Sequence, residues 1–238
     1  MIINLWSTPR TGSVWYSNHL HRKTLPSILL TEPFNRFHMD LYYMVDKNGL
    51  ITNHHEYLEG SFYKNYLFKN GRILTEKRFE PRTRNIEEEE HYIISLLEKL
   101  DFNLTYIIHN HVSPMSVDVL NKLMSIGKNI FIYRKDKVAQ LASYAIAYKN
   151  KEFVRYSNTE KFREKITITD YEPLRNLIQR IKVWDSLPKE TIVAYEDIDF
   201  YQTAGMPIKQ VKDYRDVLTE ESIEQITYLL NKEYFNEI

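Results

Sequence analysis

Residues 1–15 read MIINLWSTPRTGSVW. Ile2 to Trp6 is a short apolar run of the kind that forms a buried strand. It leads directly into Ser7-Thr8-Pro9-Arg10-Thr11-Gly12-Ser13, and an amphipathic pattern then runs from Val14 to about Leu25. Strand, tight loop and helix in that order turn backbone N–H groups and the positive end of a helix toward an anion. The loop carries a basic residue, a glycine and hydroxyl side chains, so the segment is predicted to bind phosphate or sulfate at the start of an α/β domain. The plainer alternative is a capped helix start with Ser13 or Thr11 as the N-cap.

The same arrangement returns in residues 129–143, NIFIYRKDKVAQLAS. Ile130 to Tyr133 reads as a strand, Arg134 stands at its end, and a helix follows through about Tyr148. Arginine offers a planar fork to phosphate oxygens, and Ser143 can add a hydroxyl from the following helix. The alternative pairs Arg134 with Asp136 and leaves Ser143 packed in its helix. Further strands are predicted at 104–109 (LTYIIH) and 191–195 (TIVAY), and helices over 114–126, 173–187 and from Thr219, as cap, to about Tyr234. Glu87-Glu88-Glu89-Glu90 opens an amphipathic segment, Ile86 to Leu100, and suits a solvated helix N-terminus. Strands alternating with helices predict a mostly parallel sheet flanked by helices, in one domain over 1–238. Ligands of such sheets bind at the carboxyl ends of the strands, and Arg10, Glu32, His111, Arg134 and Glu196 all fall there.

Composition narrows the function. The 238 residues hold 32 basic and 32 acidic side chains, a net charge of zero, so general binding to nucleic acid or a membrane surface is not expected and anion binding must be local. The absence of cysteine excludes disulfides and thiolate chemistry. No stretch approaches the roughly 20 apolar residues of a membrane span. The chain opens on a core strand rather than a signal peptide, with no room for an N-terminal anchor, so a cytoplasmic protein is expected.

Pro9-Arg10-Thr11-Gly12-Ser13, followed by Trp15, resembles the 5′-phosphosulfate loop of sulfotransferases that use 3′-phosphoadenosine 5′-phosphosulfate (PAPS). Arg134 through Ser143 resembles the segment with which that family grips the 3′-phosphate, with one residue more between Arg and Ser than in the cytosolic animal enzymes. Asp136, Lys137, Gln140 and Ser143 bring it closest in style to the bacterial trehalose and other carbohydrate sulfotransferases. The resemblance implies a P-loop nucleotide-kinase-like sulfotransferase fold, with PAPS as donor and adenosine 3′,5′-bisphosphate as product. It implies that Arg10 takes charge on the bridging and sulfuryl oxygens and that the backbone of Thr11, Gly12, Ser13 and Val14 cradles the 5′-phosphate. Arg134 and Ser143 would hold the 3′-phosphate. Trp15 would stack on adenine or anchor the loop to the core. Tyr195, in Tyr195-Glu196-Asp197-Ile198, would lie near adenine while the acidic residues brace the loop. The family's basic C-terminal lid is not matched, since only Lys209 and Lys212 precede Tyr214-Arg215-Asp216.

Two residues compete as the base that removes the acceptor proton. His109-Asn110-His111 resembles the K-T-H motif of cytosolic sulfotransferases, with His111 on the catalytic histidine and His109 departing from the lysine. Glu32, in Leu30-Thr31-Glu32-Pro33-Phe34-Asn35, resembles the glutamate that serves in carbohydrate-directed branches. Plainer roles are a turn residue for His111 and an ion-pair partner of Arg10 or Arg36 for Glu32. Histidines two apart share a strand face, but two ligands without a third do not make a metal site, and none is expected. Segment 46–85 has weak periodicity and 150–172 is polar and charged; since the acceptor-binding loops vary most in the family that the chain resembles, the resemblance implies that these two shape the acceptor pocket, the second being mobile before ligand binds. The acceptor class stays open among small molecules, carbohydrates, lipids and peptides. Two other readings remain: a P-loop-like nucleotide kinase, for which neither the Walker A lysine pattern nor a magnesium-binding carboxylate is evident, and an inactive nucleotide-binding protein of the same fold.

Overall fold

The computed structural model describes residues 1–24, 27–31, 105–111, 117–150, 164–199 and 213–236. Glu32, the acidic helix expected over 86–100, the segment 46–85, Lys209 and Lys212 lie outside them. The chain is α/β. Its strands are β1 (Ile2–Ser7), β2 (Ser27–Thr31), β3 (Thr105–His111), β4 (Lys128–Tyr133) and β5 (Thr191–Ala194). Its α-helices, numbered within the described residues, are α1 (Ser13–Lys23), α2 (Val117–Ser125), α3 (Lys137–Asn150), α4 (Glu172–Ser186) and α5 (Glu220–Leu230). Among the described residues no helix is long and apolar enough to cross a membrane.

The chain gathers into two compact units. The first draws on Met1–Ser7, Val14–Phe131 and Lys189–Thr191. Its strands run in the order β2-β3-β1-β4, and both β1 and β2 pair with β3 in parallel. Every residue of β1 is buried, as a parallel strand covered on both faces should be. Asparagine and tryptophan side chains of that core are hydrogen-bonded within it. Asn4 Nδ2 donates to the Leu123 carbonyl at 2.7 Å, and Trp6 Nε1 donates to Asn129 Oδ1 at 2.8 Å. Asn129 Nδ2 in turn donates to the Met124 carbonyl at 2.8 Å. These bonds tie β1 and β4 to α2 and fill what would otherwise be costly buried vacancies.

Gly127 stands between α2 and β4 because nothing larger fits. A Cβ there would lie 2.6 Å from the Ile2 carbonyl oxygen and 3.0 Å from Ile2 Cβ. The obstacle is backbone and cannot rotate away. Gly127→Ala is therefore expected to destabilise the protein by about 1–3 kcal/mol, more than the roughly 0.4–1 kcal/mol gained by stiffening the unfolded chain. A lower urea midpoint at unchanged slope would show it; an unchanged midpoint would refute it.

The second unit draws on Thr8–Ser13, Ile132–Pro188 and Ile192–Ile238. Here the end of β4 continues, with β5 as its neighbour. Helices α3, α4 and α5 enclose a core that includes Leu141, Ile146, Leu177, Ile181, Leu218 and Ile226. The alanines at 139, 142, 145 and 147 are all buried and let α3 pack closely.

Three expectations need correction. β3 does not stop at His109 but runs to His111, because its pairing with β1 continues through Trp6↔Asn110 and Ser7↔His111. Thr219 occupies the N-cap position of α5 without a side-chain cap bond; its hydroxyl meets Ser222 Oγ at 2.9 Å instead. The end of the segment expected to be mobile is tied down. Ile166 N–H donates to the Val217 carbonyl at 2.6 Å, its carbonyl accepts from Thr219 N–H at 3.1 Å, and Ile168 N–H donates to Ser222 Oγ at 2.9 Å. Residues 151–163 of that segment lie outside the described residues.

Candidate anion-binding site

The loop after β1 departs from ordinary backbone at two places. Arg10 has φ 68° and Gly12 has φ 73°. The left-handed region is open to glycine, but for arginine it costs about 1–2 kcal/mol. Such a residue persists only where its surroundings hold it there. Within the second unit those surroundings come from α3. Gln140, fully buried, uses its amide nitrogen twice, donating to Thr8 Oγ1 and to the Pro9 carbonyl, both at 2.8 Å. Thr11 Oγ1 closes the loop on itself by donating to the Thr8 carbonyl at 2.9 Å. Arg134 Nη1 reaches the Arg10 carbonyl at 3.5 Å.

The loop residues thus meet the Arg134–Ser143 segment within this unit. Arg10 Nε donates to Ser143 Oγ at 3.1 Å. The resemblance implies opposite phosphates of one nucleotide for these two residues, so their direct contact is new. A serine oxygen accepting from Arg10 retains its own proton for donation. Arg134 lies with its guanidinium carbon 4.4 Å from the centre of the Tyr195 ring, a cation–π stack. Its Nε is buried and has no hydrogen-bond partner among the described residues. A buried N–H with nothing to donate to is uncommon in folded proteins, and an anion oxygen is one acceptor that would satisfy it.

Asp136 does not pair with Arg134. Its Oδ1 accepts from Ala139 N–H at 2.8 Å and caps α3. The turn between β4 and α3 is braced from the Tyr195-Glu196-Asp197 segment. Glu196 accepts from the backbone N–H of Lys135 at 3.1 Å and of Asp136 at 3.2 Å, and Lys135 Nζ pairs with Asp197 at 3.0 Å. That contact raises the Lys135 pKa, chiefly through its hydrogen bond to Asp197.

Gln140 is the residue whose part in the loop went unassigned. Its signal was a polar side chain inside the apolar run Val138-Ala139-Gln140-Leu141-Ala142. Gln140→Leu keeps the volume but removes the donor to two loop acceptors, of which Thr8 is 3% exposed. We expect a loss of about 1–3 kcal/mol from the stranded acceptor, read from urea unfolding. A variant as stable as the wild type would show that the loop holds its shape without Gln140.

The remaining candidates lie in the first unit. Trp15 is 5% exposed and its ring stacks on His19 at 5.0 Å between centroids, the position of a packing anchor. Burial, and then Lys23, lower the His19 pKa. Val14, in the first turn of α1, is half-buried. At the end of β3, His109 is fully buried and His111 half-buried. Both rings meet Ser7: His109 Nε2 at 3.0 Å from Oγ, and His111 Nδ1 at 3.2 Å. Among the described residues no group of three or more His, Cys, Asp or Glu side chains could hold a metal ion.

No protein-family model matches the chain, and the search of curated proteins finds no match.

Proposed function

We propose that the chain is a PAPS-dependent sulfotransferase, moving a sulfuryl group to a hydroxyl or amine of a carbohydrate, lipid, peptide or other small acceptor. The observation that carries this reading is the buried Nε of Arg134, without a hydrogen-bond partner among the described residues, in the same unit as a loop whose arginine and glycine are both left-handed. Together these features suit an anion held by a guanidinium and by backbone N–H groups.

PAPS supplies the sulfuryl group. In the transfer, the sulfur–oxygen bond to the 5′-phosphate breaks and one to the acceptor atom forms. The acceptor proton passes to a base, and adenosine 3′,5′-bisphosphate leaves. Arg10 offsets charge on the departing phosphate oxygen, and the N–H groups of Thr11 to Val14 hold that phosphate; fixed donors of this kind stabilise developing charge. Arg134 and Ser143 bind the 3′-phosphate. Trp15 and Tyr195 are assigned to adenine by the resemblance alone. His111 and Glu32 are the two candidates for the base.

The test is nucleotide choice. Adenosine 3′,5′-bisphosphate is expected to bind roughly 10- to 150-fold tighter than AMP, the worth of one charge-assisted contact at about 1.5–3 kcal/mol. Calorimetry giving equal affinities would remove the assignment.

A further inference from the structure

We propose that Ser7 fixes His111 as a proton acceptor at Nε2 and is thereby a positioning residue for the base. Calling His111 the base rests on the proposed sulfuryl transfer; the hydrogen-bond argument does not.

The Ser7 carbonyl oxygen lies 3.3 Å from His111 Nδ1. A carbonyl only accepts, so this nitrogen meets it favourably only as N–H. Ser7 Oγ lies 3.2 Å from the same nitrogen and can share that hydrogen. A neutral imidazole with its hydrogen on Nδ1 keeps its lone pair on Nε2. The Ser7 hydroxyl, accepting from His111, still has a proton to donate, and His109 Nε2 stands 3.0 Å away to receive it. His109 Nε2 can equally donate to the same hydroxyl oxygen, which has two lone pairs, and the Nδ1–H of His111 is required either way.

Exposure separates the two histidines as proton acceptors. Protonating His111 at Nε2 leaves every one of these bonds in place. His109 is 0% exposed and His111 only half-buried. A second shell that fixes a ring tautomer is a recurrent way to aim a histidine.

Nitrogen-15 NMR of histidine-labelled protein tests this directly, with the His111 ring assigned by its loss in His111→Gln. In its neutral form the wild-type ring is expected to show a protonated Nδ1 and a bare Nε2. The opposite tautomer would overturn the proposal without need of any other variant. Ser7→Ala removes the hydroxyl but keeps the carbonyl, and the Nδ1–H population is expected to fall, with Ser7→Thr restoring it. No change in Ser7→Ala would overturn the role of the hydroxyl. Calorimetry with adenosine 3′,5′-bisphosphate on the same wild-type sample separates the two ideas. Absent binding beside the expected tautomer would retire the sulfuryl-transfer reading and leave the histidine assignment standing.

Discussion

Arg134→Ala is expected to weaken adenosine 3′,5′-bisphosphate binding by roughly 10- to 150-fold and to leave AMP binding nearly unchanged. The magnitude is that of a hydrogen bond to a charged group, about 1.5–3 kcal/mol. The selectivity follows from the assignment, because AMP has no 3′-phosphate to lose. Arg134→Lys should fall between, since an ammonium keeps the charge but not the fork. The structure also supplies the competing explanation. Arg134 Nη1 touches the Arg10 carbonyl and the guanidinium rests on Tyr195, so the substitution could loosen the loop that holds the 5′-phosphate. In that case AMP and the bisphosphate would weaken together. Equal losses measured by calorimetry would transfer Arg134 from the ligand to the scaffold.

The parts of this fold that are legible in the sequence are those fixed by local pattern. β1, β4 and β5 announce themselves as short apolar runs, and α4 by its periodicity and its proline within the first two helical positions. The misplaced boundary at His109 has a physical reason. His-Asn-His looks like a loop because its side chains are polar, yet a strand ends where its pairing ends, and Ser7 still faces His111 across β1 and β3. Thr219 looked like a cap for equally local reasons, and its hydroxyl was diverted to Ser222. Ile166 and Ile168 sat in a charged, aperiodic stretch, and only long-range contacts to Val217, Thr219 and Ser222 reveal that they are anchored.

The candidate site divides in the same way. Arg10, Gly12 and Arg134 are candidates that can be read in the sequence because residue type and the position after a strand both point at anions, whereas Ser143, inside α3, is a candidate through the resemblance. The Arg10–Ser143 bond was not, because it joins residues 133 positions apart. Gln140 was visible as a letter in a motif but not as the donor to Thr8 and Pro9. The bracing of the Arg134 turn by Glu196 and Asp197 was expected from resemblance and has its geometry in the bonds to Lys135 and Asp136. Glu32 lies outside the described residues, so its rivalry with His111 is a matter for kinetics.

That rivalry yields the largest expected effect. His111→Ala and Glu32→Gln should both keep bisphosphate affinity close to wild type, because neither residue belongs to the phosphate loops. One of the two should lose roughly 10²–10⁴-fold in turnover, the usual range for a positioned proton acceptor, and the other much less. The proton-acceptor network at Ser7 favours His111 as the residue that suffers. A base works only when deprotonated, so turnover should fall as pH drops through the pKa of whichever group serves. Unperturbed histidine titrates near 6.5 and glutamate near 4.3, so the acid limb lies higher for an imidazole unless burial raises the carboxylate. The limb should vanish in the variant that lacks the base and survive in the other. Mass-spectrometric screening of sugars, lipids, phenols and peptides with PAPS supplies the acceptor for the assay. Near-wild-type turnover in both variants would mean that proton removal falls to a third group and that the acceptor binds away from both.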